Sequence, residues 1–342
     1  MKKIFFPCYL TLLLLAGCHH RNTPDVSGID IQMDTVRFER SFFTLDTLYE
    51  DSSLESLNRR YPGFTADFLY RIMGANANPD STLRDVRLFL SAYRSVYDSA
   101  MQQFPGIGEM TKQIKHGLQF VKYYFPAYAL PHRLYTFVGP IDAVFKTANG
   151  VSGDVITKDG LGVALQLHLG KYFSLYRTEN AQELYPLFVS RRFEAGYIPV
   201  NCMRNIIEDM YPDKSANRPL IEQMVEAGKR LYVLDALMPD TPDSLKTGYT
   251  QAQLMGCYQH ESNIWSFFVQ NDLLYATDSN VTGSYMNDGP KTTELGDASP
   301  GFIGQFVGWQ IVKKWMEKND VDLKHLMEKN DKELFTEAKY KP

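Results

Sequence analysis

Few residues of this 342-residue chain could do chemistry by type and spacing, and the first is a cysteine. Leu15-Ala16-Gly17-Cys18 places small residues directly before a thiol, the pattern that lipoprotein signal peptidase cleaves. Lys2 and Lys3 give a short positive region. Ile4 to Leu15 give an apolar one, broken only by Pro7, Cys8, Tyr9 and Thr11. Such a segment is a targeting signal and stands outside the fold. A transmembrane helix would need ~20 apolar residues, so the stretch is too short to span. A plain secretory signal with an incidental cysteine is the other alternative. Apolar stretch, small residues and cysteine agree in register, which favours cleavage before Cys18. A diacylglyceryl group on the Cys18 sulfur carries two acyl chains, enough for stable anchoring at roughly 0.8 kcal/mol per buried CH₂.

The remaining reactive residues are scattered. Zinc needs three or four N, S or O ligands at sensible spacing, yet His116, His132, His168, His260 and His325 are isolated from one another. His260-Glu261 opens a His-Glu-x-x-His window that closes on Ile264. There is no Cys-x-x-Cys, no Gly-x-Ser-x-Gly elbow and no phosphate-cradling glycine loop. No metal or other cofactor is expected. Glu222 and Glu226 fall one turn apart on a predicted helix and could form a carboxylate pair. Lys229 and Arg230 are at hand to neutralise them instead. His168 sits on the less apolar side of a predicted strand, where a cleft could use it or a hydrogen bond could bury it. Cys202 and Cys257 could pair in an oxidising envelope, or remain buried thiols.

The elements that must position these residues are mainly helices. Phe38, Phe42, Phe43, Leu45 and Leu48 recur every three or four residues, as do Phe64, Phe68, Leu69 and Ile72, so helix is predicted from Val36 to about Phe125. Pro62-Gly63, Asn78-Pro79 and Pro105-Gly106 punctuate it. The period then changes. Arg133 to Val138 is rich in β-formers. From Leu161 to Leu169, Leu and Val alternate with Gly162, Ala164, Gln166 and His168, which predicts a strand with one buried face. Helices resume near 180–192, 199–211, 217–238, 250–272, 301–318 and 322–337, with loop from Asn280 to Pro300. Gly304 and Gly308 share one helical face, a spacing that suits close backbone packing.

These readings give a leader over 1–17, a lipidated tether over 18–35 and one globular domain over 36–342. The domain class is α+β, mostly helical, around a small central sheet. Removing the leader leaves 325 residues, and losing Lys2 and Lys3 takes the formal charge from −4 to −6. A mildly acidic domain has no electrostatic case for nucleic acid. No later segment is apolar enough to span a bilayer.

Several blocks, in order, resemble the gliding-motility lipoprotein GldB family. They are Leu169-Gly-Lys-Tyr-Phe-Ser-Leu-Tyr176, Met224-Val-Glu-Ala-Gly-Lys-Arg-Leu-Tyr-Val-Leu-Asp235, His260-Glu-Ser-Asn-Ile-Trp265, Ser299-Pro-Gly-Phe-Ile-Gly-Gln-Phe-Val-Gly-Trp-Gln-Ile-Val312 and Lys339-Tyr-Lys-Pro342. The lipobox and Val36-Arg-Phe-Glu-Arg-Ser-Phe-Phe43 fit as well. The chain departs from the family pattern at Phe302 and Phe306, where Arg and Trp are usual. It departs again at His260, where Asn is usual, and at Glu226, where an aromatic is common. The layout also resembles zinc-peptidase-like domains, with strand Arg133–Val138, edge strand Leu161–Leu169 and a following helix around Val200 to Glu208. That helix carries no histidine, so the resemblance implies a metal-free scaffold.

The resemblance implies a non-catalytic accessory of an envelope secretion or motility complex. Its partners would be the membrane, through lipid, and other envelope proteins. The absence of an acidic run after Cys18 favours the periplasmic face of the outer membrane. Two alternatives stay open: a divergent hydrolase using His168, Glu226, His260 or Glu261 in a cleft, and a ligand-binding lipoprotein with a deep apolar pocket.

Overall fold

The computed structural model describes residues 23–46, 50–147 and 150–342. The leader, Cys18 and the start of the tether lie outside them. Strand β1 (Asp34–Arg37) begins the sheet, and Val36, taken above as the start of helix, pairs with Tyr135 in it. A helix starts two residues later, at Phe38–Phe43. A long crossover follows through helices Glu50–Arg60, Pro62–Ala66, Pro79–Ala92, Arg94–Gln103 and Gly108–Tyr124. It returns the chain to β2 (Arg133–Phe137), parallel to β1. The short hairpin β3 (Phe145–Thr147) and β4 (Gly150–Ser152) stands apart. Strand β5 (Val155–Thr157) turns back into β6 (Gly160–Ala164), and the main sheet runs β1-β2-β6-β5. Helix makes up 59 % of the structure, so the α+β, mostly helical class holds.

Why the crossover packs is legible in its aromatic spacing. Phe38 and Phe42, and likewise Phe64 and Phe68, are one turn apart, and all four are fully buried. Phe64 stacks on Tyr135 of β2 at 4.0 Å, and Phe38 meets Phe64 edge-on at 4.9 Å. Such pairs add about 0.5–1.5 kcal/mol each beyond simple burial. The sheet face is thus sealed by rings that the helical period placed in register.

Three expectations need correction. The strand predicted from Leu161 to Leu169 stops at Ala164, and Leu165–Leu167 forms a turn of 3₁₀ helix. Nor is it an edge: β6 lies between β2 and β5, with every residue buried. Its alternation therefore records large against small side chains, not core against solvent. A Cβ on Gly162 would stand 3.0 Å from Val155 and 3.2 Å from Phe137, so the small residues mark the more crowded face. The predicted helix 250–272 is two, Gln251–Gln259 and Glu261–Gln270, broken at His260. The predicted loop from Asn280 opens inside a helix, Ser279–Met286, capped by Asp278.

Val26, Ile31 and Met33, within the stretch read as tether, are buried in the core. Their turn is held by Gln119 Nε2 donating to Ile29 O at 2.8 Å. Cys202 and Cys257 are both free and buried. Burial pushes the Cys202 thiol well up and Cys257 up to about 12, so neither is a ready nucleophile. No helix among the described residues is long and apolar enough to cross a membrane.

The largest helix pair is Leu220–Leu237 against Ile303–Met316. They approach until a Cβ on Gly308 would lie 1.6 Å from Met224 O, and one on Gly228 2.2 Å from the Gly308 carbonyl carbon. Gly304 lies on the same face, beside Met286 and Tyr285. The close packing expected of Gly304 and Gly308 is therefore present, and Gly228 is its counterpart on the facing helix.

Candidate functional site

Two of the clusters of polar side chains inside the domain each hold one residue singled out above. His168 follows the 3₁₀ turn after β6. Its Nε2 lies 2.9 Å from Asp154 Oδ2, and its Nδ1 3.2 Å from Glu194 O. A backbone carbonyl can only accept, and so can a carboxylate. The ring is thus held between the Asp154 carboxylate and the Glu194 carbonyl, inside the domain. Asp154 also accepts from Ala164 N at 2.9 Å and from Asn201 Nδ2 at 2.8 Å. Asn205 Nδ2 donates to Asp154 O at 2.8 Å. Asn201 and Asn205 are four apart on helix Ile198–Met210, hence on one face. The network ties sheet, hairpin end and helix together. His168 is 3 % exposed and Asp154 1 %, so the pair lies inside the domain and not in an open cleft.

Glu226 lies at the second centre, on helix Leu220–Leu237. Its two oxygens are each 3.1 Å from a cation, Lys229 Nζ and Arg230 Nε. Arg230 continues to Glu208 at 2.9 Å. Lys229, 2 % exposed, also reaches Asp331 Oδ1 at 2.7 Å and the carbonyls of Met327 and Lys329 at 3.2 and 3.0 Å. Asp331 is held in turn by Arg218 at 2.8 Å. Burial pushes the Asp331 carboxyl above its ordinary value, against the pull of Lys229. A cleft of about 410 Å³ opens over this cluster, lined by Tyr211, Arg218, Glu226, Lys229 and Asp331 among others. The neutralised arrangement of Glu226, with Lys229 and Arg230, is the one observed.

The other two candidates lie elsewhere. His260 is exposed at the break between its two helices. Glu261, next to it, accepts from Tyr340 Oη at 2.6 Å and fastens the C-terminal segment. The cleft beside Glu226 includes none of His168, His260 or Glu261. Sequence reading missed Asp154 and Asp331, because a carboxylate shows its partner only after folding. The one signal present was the four-residue spacing of Asn201 and Asn205.

Among the described residues, no group of three or more His, Cys, Asp or Glu could hold a metal ion. The mature protein, purified without chelator, is expected to contain far less than one equivalent of zinc by elemental analysis. Stoichiometric zinc that disappears on changing His168, Glu226 or His260 would overturn this.

These features define a helical α+β domain whose buried ionisable groups hold elements together. The family model described as gliding motility protein GldB matches residues 19–342. The chain belongs to the GldB family. The family is not a known enzyme family, and its name marks it as one of lipoproteins, associated with the envelope. No curated protein and no solved structure gives a significant match.

Proposed function

We propose that this protein is a non-catalytic accessory of an envelope protein-secretion and motility complex, anchored by lipid on Cys18 to the periplasmic face of the outer membrane. The observation that carries the reading is the family match, which begins at residue 19 and takes in nearly the whole chain. The pairing of His168 with Asp154, and of Glu226 with Lys229 and Arg230, supports a scaffold in place of a catalyst. Val26 is already part of the core. Eight peptide units from Cys18 to Val26 reach at most about 28 Å. The domain is therefore held close to the lipid surface, where other envelope proteins are within reach.

Two measurements test this. Cys18→Ser is expected to leave the protein unprocessed or to move it from the membrane to the soluble fraction, since both acyl chains go with the sulfur. Unchanged fractionation and unchanged mass would refute the anchor. Gentle crosslinking and pull-down of the tagged wild type should recover envelope proteins reproducibly. Consistent recovery of the protein alone would refute complex membership while leaving the anchor standing.

A further inference from the structure

Three arginines converge where helix Ile198–Met210 passes the turn after the short helix Asp243–Thr247. Arg204 Nη2 donates to Lys246 O at 2.6 Å, and Arg191 Nη2 to Gly248 O at 2.7 Å. Arg192 Nη1 lies 3.2 Å from where a Cβ on Gly248 would start, and its Nη2 pairs with Asp288. Thr247 O, between these carbonyls, accepts from Gln305 Nε2 at 2.9 Å. The backbone acceptors of the turn are thus in use, and three guanidiniums share a single carboxylate.

Charge balance here differs from that around the most buried cations of the domain. Lys229, Arg230 and Lys246 each have a carboxylate partner. Among the described residues, Arg191 and Arg204 have none within ion-pair distance, and Arg204 Nε is buried without any acceptor. Desolvation first, then neighbouring Arg192, pulls Arg204 down to about 10. Arg191 is lowered for the same two reasons. Capping a helix C-terminus accounts for one cation at 0.3–1 kcal/mol or so. It does not account for three, nor for a fork left with an idle donor. Arg191 and Arg192 are partly exposed, so solvent-borne groups can reach the rim of the cluster, while Arg204 Nε lies buried beneath them. The planar fork matches a carboxylate with two parallel hydrogen bonds, and Asp288 already shows that a carboxylate fits beside Arg192.

We propose that Arg191, Arg192 and Arg204 form a binding site for a carboxylate-bearing ligand, part of which Asp288 fills from within the chain. The carboxylate could belong to a free organic acid or to a peptide C-terminus. Either would offset the excess positive charge that the three guanidiniums share.

The test uses the full-length lipoprotein in detergent, with thermal unfolding and calorimetry as readouts. The probes are citrate, acetate, phosphate, and triglycine with a free or an amidated C-terminus, with chloride at equal ionic strength as the control. Wild type should be stabilised by at least one carboxylate beyond chloride. Arg204→Gln should weaken the apparent affinity roughly tenfold, the scale of one lost charge-assisted hydrogen bond. Asp288→Asn, which frees Arg192, should strengthen it. A citrate response without a peptide response assigns a free acid. A triglycine response lost on amidation assigns a peptide terminus. If carboxylates act no differently from chloride on wild type and Asp288→Asn alike, the site is refuted, even should Arg204→Gln fail to fold. Equal stabilisation by phosphate would overturn the carboxylate assignment.

Discussion

Gly308→Leu is expected to lower the melting temperature of the lipid-free domain by several degrees, through overpacking of its central helix pair. Glycine inside a helix costs about 0.5–1 kcal/mol against alanine, so propensity alone would reward a side chain at this position. Sterics reverse the sign. A first side-chain carbon would stand 1.6 Å from Met224 O, a backbone atom that moves only if its whole helix moves. Overpacking a well-filled core typically costs ~1–3 kcal/mol, and a backbone obstacle places this site at or above the top of that range. Gly304→Ala should be milder, because its nearest obstacle is the Met286 sulfur at 2.3 Å, the end of a flexible side chain. A Gly308→Leu domain that melts with wild type would refute core packing here. If such a variant nevertheless lost function in the cell, the face would be a docking surface.

The second large effect is expected at the buried lysine. Lys229→Met removes the cation that Glu226 and Asp331 share. It leaves Asp331 with Arg218 as its ion-pair partner and faces two carboxylates toward each other. Breaking a buried ion pair on one side costs about 3–5 kcal/mol, whereas replacing the whole pair by apolar groups is often neutral. Lys229→Met should therefore destabilise strongly, and Lys229→Met with Asp331→Leu should recover much of the loss. Denaturant unfolding of both single variants and the double closes the cycle. Additive losses would mean that the pair is not coupled, and a neutral Lys229→Met would mean that its charge is not held as the geometry indicates.

Burial also fixes the pH sign at Asp331. Its carboxyl is raised above the ordinary value by desolvation. The native state then holds that proton to higher pH than the unfolded chain does. The group's contribution is present at low pH and lost as pH rises through the raised value. Asp331→Asn should flatten that part of the pH–stability curve.

What the sequence determined by itself was whatever depends on local order. The proposed leader and lipobox are a matter of residue order alone, so they can be read without any tertiary structure. The pairs Phe38 and Phe42, and Phe64 and Phe68, follow the helical period and were legible as a buried stripe. Family membership was legible too, because the order of blocks from Leu169 to Pro342 is a linear property. The glycines at 304 and 308 announced close packing, though not that Gly228 would answer them.

Tertiary structure decided the rest, because it decides what lies beside a residue. Periodicity could not tell a strand buried on both faces from one with a solvent side, so β6 was drawn too long and placed at an edge. Val36 joined the sheet because Tyr135 was there to pair with it, not because of its neighbours in the chain. Charge is the clearest case. Glu226, His168 and Glu261 were all open as acid–base candidates, Glu226 with Lys229 and Arg230 already in reach along its helix. Their partners Lys229, Asp154 and Tyr340 lie 3, 14 and 79 residues away. The first span is local helix spacing, but pairing over the other two is set by folding, which also leaves Arg191 and Arg204 without carboxylates within ion-pair distance among the described residues.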